Sequence, residues 1–245
     1  MLTFGVIAEG LSDQAVIENI LLGYFQAGEE DPLINPIQPP NPNSPGGWTR
    51  VFQCLERGEP QKALQFNDFL VIQIDTDVQE EPGFDVPRRE CGVELSVPER
   101  VARVIARLRR DIDPAFYQAE GHRIVFSVAV DSIECWLLPL LHDNNKAEKT
   151  TGCLEAANME LRRTRRNGLS AGETKFPRAY EHASRDYRKR KVLIEHRDRN
   201  PSLGLFITQL DDLQSRLTAN DPGASPGDGK ASPEGEKPPE STASE

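Results

Sequence analysis

The first 140 residues alternate between short apolar runs and longer stretches with one apolar face. Leu2 to Ala8 reads as a short buried strand. After it, Ala15, Val16, Ile20, Leu21 and Leu22 fall at helical spacing, with Ser12 as the expected cap. Leu33 to Ile37 is a second strand. Pro36 interrupts it, and a proline is tolerated only at a sheet edge. Residues 39–47 (PPNPNSPGG) form a loop, and Trp48 to Glu56 a short helix. Asp68-Phe-Leu-Val-Ile-Gln-Ile-Asp75 is the strongest strand signal in the chain. A polar loop over 79–96 leads to a helix near Val97, with Pro98 in its first turn and Val101, Val104, Ile105 and Leu108 on one face. Arg123 to Val130 is a further strand, running into Ile133-Glu-Cys-Trp-Leu-Leu.

This strand–helix alternation predicts an α/β fold with a mostly parallel sheet covered by helices on both sides. From about residue 146 the pattern turns helical, over roughly 148–166, 177–191 and 203–217. Beyond Ala219 there is no apolar side chain larger than alanine, so 219–245 is expected to be disordered. The expected organisation is a domain over 1–145, a helical extension over 146–218 and a tail over 219–245.

Charge sharpens that division. The net charge is −10. Residues 1–145 hold 23 acids and 11 bases (−12), residues 146–200 hold 8 and 15 (+7), and residues 201–245 hold 8 and 3 (−5). An acidic α/β part therefore adjoins a basic helical part and an acidic tail. A basic surface beside acidic metal ligands suits a nucleic-acid enzyme, because the bases neutralise phosphates. The basic run Arg185, Arg188, Lys189, Arg190 and Lys191 is the candidate phosphate contact. Arg162, Arg163, Arg165 and Arg166 form a second cluster, and a solvated helix face explains either one nearly as well.

No apolar run approaches 20 residues, so no membrane span is expected, and the start of the chain lacks the basic region of a secretory signal. Cys54, Cys91, Cys135 and Cys153 are scattered and read as reduced thiols of a cytoplasmic protein. The four histidines lack zinc spacing.

The candidate chemistry is in the acids that end the strands. In a parallel α/β sheet, functional groups gather beyond the C-terminal strand ends. The first strand ends in Glu9, with Asp13 four residues on. The strong strand ends in Asp75-Thr76-Asp77, where alternation would send both aspartates the same way. The late strand runs into Asp131-Ser132-Ile133-Glu134. Clustered carboxylates repel one another unless hard cations sit between them, and oxygen donors suit Mg2+ or Mn2+. Any single one of these acids is explained as well by a turn or a helix cap.

Glu9-Gly-x-Ser12-Asp13 after a first strand, then a hydrophobic strand ending in Asp75-x-Asp77, resembles the Toprim domain of topoisomerases, bacterial primases, recombination mediators and OLD-family nucleases. Ser132-x-Glu134 resembles the third acidic motif of the OLD-type nucleases. Ser-Ile-Glu-Cys-Trp-Leu-Leu is similar to small bacterial Toprim-like proteins, some found among phage-defence genes. The resemblance covers about residues 1–145. It implies Mg2+- or Mn2+-dependent cleavage of DNA or RNA, with two ions held by Glu9, Asp13, Asp75, Asp77 and Glu134. Glu9 would be ligand or general acid/base, Asp75 the nearest metal ligand, and Ser132 a holder of a ligand or phosphate oxygen. Lys175 would be the downstream lysine near the scissile phosphate. It also implies a homodimer and a separate ATPase subunit, since this chain has no P-loop. The competing expectation is a non-catalytic interaction module that partners such an ATPase in a defence system. A phosphatase using Asp75 as nucleophile is a third reading, disfavoured because that motif belongs after a first strand.

Overall fold

The computed structural model describes residues 1–26, 30–171 and 174–219. The tail expected to be disordered lies outside the described residues from position 220 onward.

β1 (Thr3–Ile7) is followed by α1 (Leu11–Tyr24), β2 (Leu33–Gln38), α2 (Trp48–Glu56), α3 (Glu59–Ala63) and β3 (Phe69–Asp75). A small hairpin of β4 (Arg89–Glu90) and β5 (Val93–Glu94) precedes α4 (Val97–Arg110), α5 (Pro114–Glu120) and β6 (Ile124–Ala129). Then come α6 (Leu138–Leu141), α7 (Cys153–Arg163), a hairpin of β7 (Ser170–Ala171) and β8 (Thr174–Lys175), α8 (Pro177–Ser184), α9 (Arg190–His196) and α10 (Pro201–Ala219). The sheet is four-stranded and all-parallel, in the order β2-β1-β3-β6. The mostly parallel α/β sheet read from the sequence is thus the fold.

Every residue of β3 and β6 is buried, as a strand covered on both faces requires. On one side α1 packs with the helices after residue 146. On the other, α2 and α4 pack around Phe84 and Val86. One hydrophobic core therefore runs across residue 145: Val16, Ile20 and Trp136 share it with Tyr180, Leu203 and Phe206. The indole of Trp136 stacks on Phe206 at 5.3 Å.

β2 forms one edge of the sheet, where Pro36 costs no ladder bond. The opposite edge, β6, is closed by side chains. Gln209 of α10 accepts from Phe126 N at 3.0 Å and donates to Phe126 O at 2.7 Å, while Ser202 accepts from Val130 N. An open strand edge would otherwise invite pairing with another chain.

Ser12 does not cap α1. The cap is Gly10, in extended backbone, and Ser12 is buried inside the first turn. The loop 39–47 folds over this point, with Gly47 N donating to Glu9 O, and a Cβ on Gly46 would meet that oxygen at 2.3 Å. Close approach, rather than a polar cap, sets the start of the helix. At the C-terminal end of α7, Arg165 takes a left-handed conformation (φ 56°), and Arg166 N closes the turn on Leu161 O at 2.7 Å. This position favours glycine, and a larger residue there costs roughly 1 kcal/mol.

Gly23 sits where α1 meets residues 185–188. A Cβ there would lie 1.8 Å from Tyr187 O, which is backbone and cannot swing away. Gly23→Ala is expected to cost about 2 kcal/mol and lower the melting temperature by roughly 4–8 °C. A thermal melt checks it, and an unchanged midpoint would refute the close packing.

Candidate functional site

The C-terminal ends of β1, β3 and β6 lie side by side in the sheet, and the chain leaves each of them through an acid. Gln73, in the middle of the apolar β3, joins two of these ends. It is fully buried, accepts from Glu9 N at 3.1 Å, donates to Asp75 Oδ1 at 2.8 Å and reaches Asp13 Oδ1 at 3.4 Å. Asp75 N in turn donates to Glu9 Oε1 at 2.7 Å. Asp13 lies in the first turn of α1, which brings it back over the strand ends. Glu134 lies in the 3-10 turn over Ile133–Trp136 after β6 and is buried. Lys175, delivered by the β7–β8 hairpin, pairs with Glu134 at 2.8 Å, and Tyr180 of α8 donates its hydroxyl to the same carboxylate.

Glu9, Asp13, Asp75 and Glu134 therefore share one partly water-excluded space with, among the described residues, one formal cation at its mouth, Lys175, whose side chain is 38% exposed. The electrostatics follow. Burial, then Asp13, pushes the Glu9 carboxyl up to about 8. Burial raises Asp13 to about 6 against the pull of Lys175. Burial, then Asp13, Glu9 and Glu134, lifts Asp75 well above the usual carboxylate range. Glu134 goes the other way: burial works to raise it, but Lys175 and the hydrogen bonds from Lys175 and Tyr180 outweigh that. Burial also opposes the charge on Lys175, and Asp13, Glu134 and Asp75 together more than restore it.

Asp77 lies beyond the strand. β3 ends at Asp75, and the chain turns, so Asp75 is buried while Asp77 is exposed. Asp77 still lies close enough to raise Glu9 and Asp13. Ser132 is half-buried beside Glu134 and helps hold it ionised. Asp131, in left-handed backbone (φ 68°), clasps the turn after β3: its N–H donates to Thr76 Oγ1 and its carbonyl accepts from Thr76 N. The buried Arg100 supports that turn through Thr76 Oγ1 at 2.9 Å and Gln79 Oε1 at 2.9 and 3.1 Å.

No protein-family model, curated protein or solved structure matches the chain. The site is read from its own geometry.

Cys135 and Cys153 are joined in a disulfide, so the expectation of four reduced thiols fails for this pair. Cys135 follows Glu134 and Cys153 opens α7. Packing α7 on that turn brings their Cα atoms to 4.9 Å, although 18 residues separate them in sequence. Cys54 and Cys91 remain free. Asp131, Cys135 and Cys153 place three possible ligand atoms within 4.8 Å of one another, so a metal could be held there. With the sulfurs bonded to each other, neither is a thiolate ligand.

The run Arg185–Lys191 lies against the middle and C-terminal end of α1. Arg188 reaches Asn19 and Glu18, and Arg190 donates to Tyr24 O with its guanidinium 4.4 Å over the Tyr24 ring. Tyr24 is about 16 Å along the helix from Asp13 at ~1.5 Å per residue. Lys189 pairs with Asp186 at 2.8 Å, and Arg185 with Glu181 at 3.8 Å, leaving Lys191 exposed. Arg188 and Arg190 thus fasten the run to α1, while Arg185, Lys189 and Lys191 keep exposed side chains.

The acidic cluster fits a hard cation in a particular way. Its donors are oxygens, and its negative charge exceeds what Lys175 balances. Among the described residues, no three of its carboxylates bring one oxygen each within 4.8 Å of one another. It is no ready-made cage, but Mg2+ keeps several waters and is commonly held by one or two carboxylates. Among the described residues, no helix is long and apolar enough to cross a membrane.

Proposed function

We propose that the chain is a divalent-metal-dependent nuclease of the Toprim type. The observation that carries this reading is the convergence of Glu9, Asp13, Asp75 and Glu134 at adjacent parallel strand ends, with Lys175 paired to Glu134 at 2.8 Å. Three motifs that resemble Toprim sequences thus supply one cluster, and a lysine from the basic part completes it.

Glu9, Asp13, Asp75 and Glu134 would hold Mg2+ or Mn2+, with Asp77 at the solvent side. Such an ion supplies an activated water and neutralises charge on the phosphoryl oxygens. The protein's own groups have separable roles. Gln73 fixes Asp75 and Asp13 in a shared orientation. Lys175, charged and open to solvent, meets the phosphate. Tyr180 and Lys175 keep Glu134 ionised and in place. If Glu9 does not ligate the ion, its carboxyl, pushed up to about 8 in the metal-free fold, is suited to take or give a proton at a reacting oxygen.

The test is nicking of supercoiled plasmid and of tRNA by the pure protein in Mg2+ or Mn2+. Cleavage should vanish with chelator and in Glu9→Gln. A folded wild-type protein that cleaves neither substrate in either metal would reject the reading. One observation favours a non-catalytic interaction module: Glu134 is already satisfied by Lys175 and Tyr180. In that case the cation would raise the melting temperature without any cleavage.

A further inference from the structure

We infer that the cleft beside the candidate active site, between the end of α7 and the start of α8, is a binding track for single-stranded nucleic acid. Arg165, Arg166 and Arg178 supply the phosphate contacts, and Phe176 supplies a stacking platform. The inference rests on the nuclease reading only for what happens to a strand once it is bound.

The cleft has a volume of about 720 Å3 and is lined by those four residues together with His182 and Ser170. Among the described residues no acid lines it, and none of its arginines makes an ion pair with a carboxylate. This separates it from the Arg185–Lys191 run, whose charges are largely engaged by Glu18, Asp186 and Tyr24. Ser170 also lines a second cavity of about 480 Å3, which holds Arg162 and opens onto Asp131 and Ser132, two residues before Glu134. Ser170, in the hairpin that ends at Lys175, lines both cavities, and Glu155 joins Asp131 as an acid of the second. A strand lying in them would pass beside the lysine paired with Glu134.

Three further features choose a single strand over a duplex. The surface is a concave pocket, too small to receive a helix about 20 Å across, whereas unpaired nucleotides enter such pockets. Phe176 is 43% exposed at its rim, next to Lys175, and every base offers a face for stacking. Asn167 and Ser170 add polar groups that tolerate many bases.

Arg165 makes the argument testable without loss of fold. Its left-handed backbone (φ 56°) is one that glycine adopts more easily. Local stability alone would favour glycine there, yet the position carries a cation facing the cleft. Arg165→Gly should therefore keep or raise the melting temperature while weakening the ligand.

The experiment is fluorescence anisotropy with labelled 12-nucleotide single-stranded DNA and RNA, and a blunt duplex of equal length, on the full chain in EDTA. Wild type should bind a single strand more tightly than the duplex, with affinity falling as salt rises. Arg165→Gly with Arg178→Ala should weaken binding about tenfold or more and flatten the salt dependence. Phe176→Ala should weaken it about tenfold with the salt dependence unchanged. Preference for the duplex, no binding, or unchanged affinity in the arginine variant overturns the inference. Glu9→Gln separates the two readings, because it should abolish nicking and leave oligonucleotide binding intact. Binding that follows the arginines without any nicking sinks the nuclease and leaves the track standing. Nicking with an arginine variant at wild-type rate does the reverse.

Discussion

Asp75→Asn is expected to lower metal-dependent cleavage on the order of 10²–10³-fold while raising the melting temperature of the metal-free protein. The substitution removes a negative charge and almost no volume. Gln73 still finds an oxygen to donate to, and the backbone N–H of residue 75 still reaches Glu9. What changes is the repulsion. Asp75 is buried among Asp13, Glu9 and Glu134, each of which makes its ionisation harder. Removing the charge relieves all three contacts, so the metal-free fold gains. The gain should grow with pH, because the wild-type carboxyl is protonated at the acidic end and already neutral there. Activity falls because a neutral amide is a far poorer ligand for a hard cation. A gain in stability with a loss of function identifies groups held together for chemistry. If Asp75→Asn melts below wild type at pH 8, the cluster is a structural network and the catalytic reading of it fails.

The sheet was legible because its strands are short, apolar and punctuated. Pro36 marked β2 as an edge, and the run from Phe69 to Asp75 marked a covered strand. The acids at the strand ends were legible too, because parallel topology fixes where strand ends go. Lys175 could be chosen for its motif context, and the β7–β8 hairpin brings it to Glu134. Gln73 and Tyr180 were missed, for different reasons. Gln73 carried a signal, a lone amide in a strand with no exposed face, and such a group must find partners inside. Tyr180 carried none, because its hydroxyl meets Glu134 across 46 residues by the packing of α8 on α1. The same limit hid the Cys135–Cys153 pair, since the fold that joins them has no local signature. Asp77 lies past the end of β3, where period-two alternation no longer applies, and is exposed. In the basic run, charge density alone says nothing about which side of a helix faces the protein. Arg188 and Arg190 face α1.

The metal-free protein is expected to lose stability as the pH rises from 6.5 to 8.5. In the fold, Glu9 binds its proton up to about pH 8 and Asp13 up to about pH 6, and Asp75 binds its proton more tightly than usual as well. In the unfolded chain all three are ionised above about pH 5. Groups of this kind contribute fully below their unfolded values, and that contribution is lost as the pH rises through the folded ones. Glu134 is displaced the opposite way, so its contribution falls only in acid, outside this window. His142, whose charged form burial disfavours, is neutral in both states above its ordinary value of about 6.5. The slope between pH 6.5 and 8 is therefore set chiefly by Glu9. Holding one proton over that interval is worth about 2 kcal/mol, or roughly 4–8 °C in a chain of this length. Glu9→Gln should flatten the curve. Saturating Mg2+ at pH 8.5 should restore the lost degrees, since an ion that binds only the folded state at about a hundred times its dissociation constant adds about 2.7 kcal/mol. Differential scanning fluorimetry across this range, with EDTA and with Mg2+, reads both effects at once. A melting temperature indifferent to pH in EDTA would mean that these carboxyls neither crowd nor repel one another, and the ground for a cation among them would be gone.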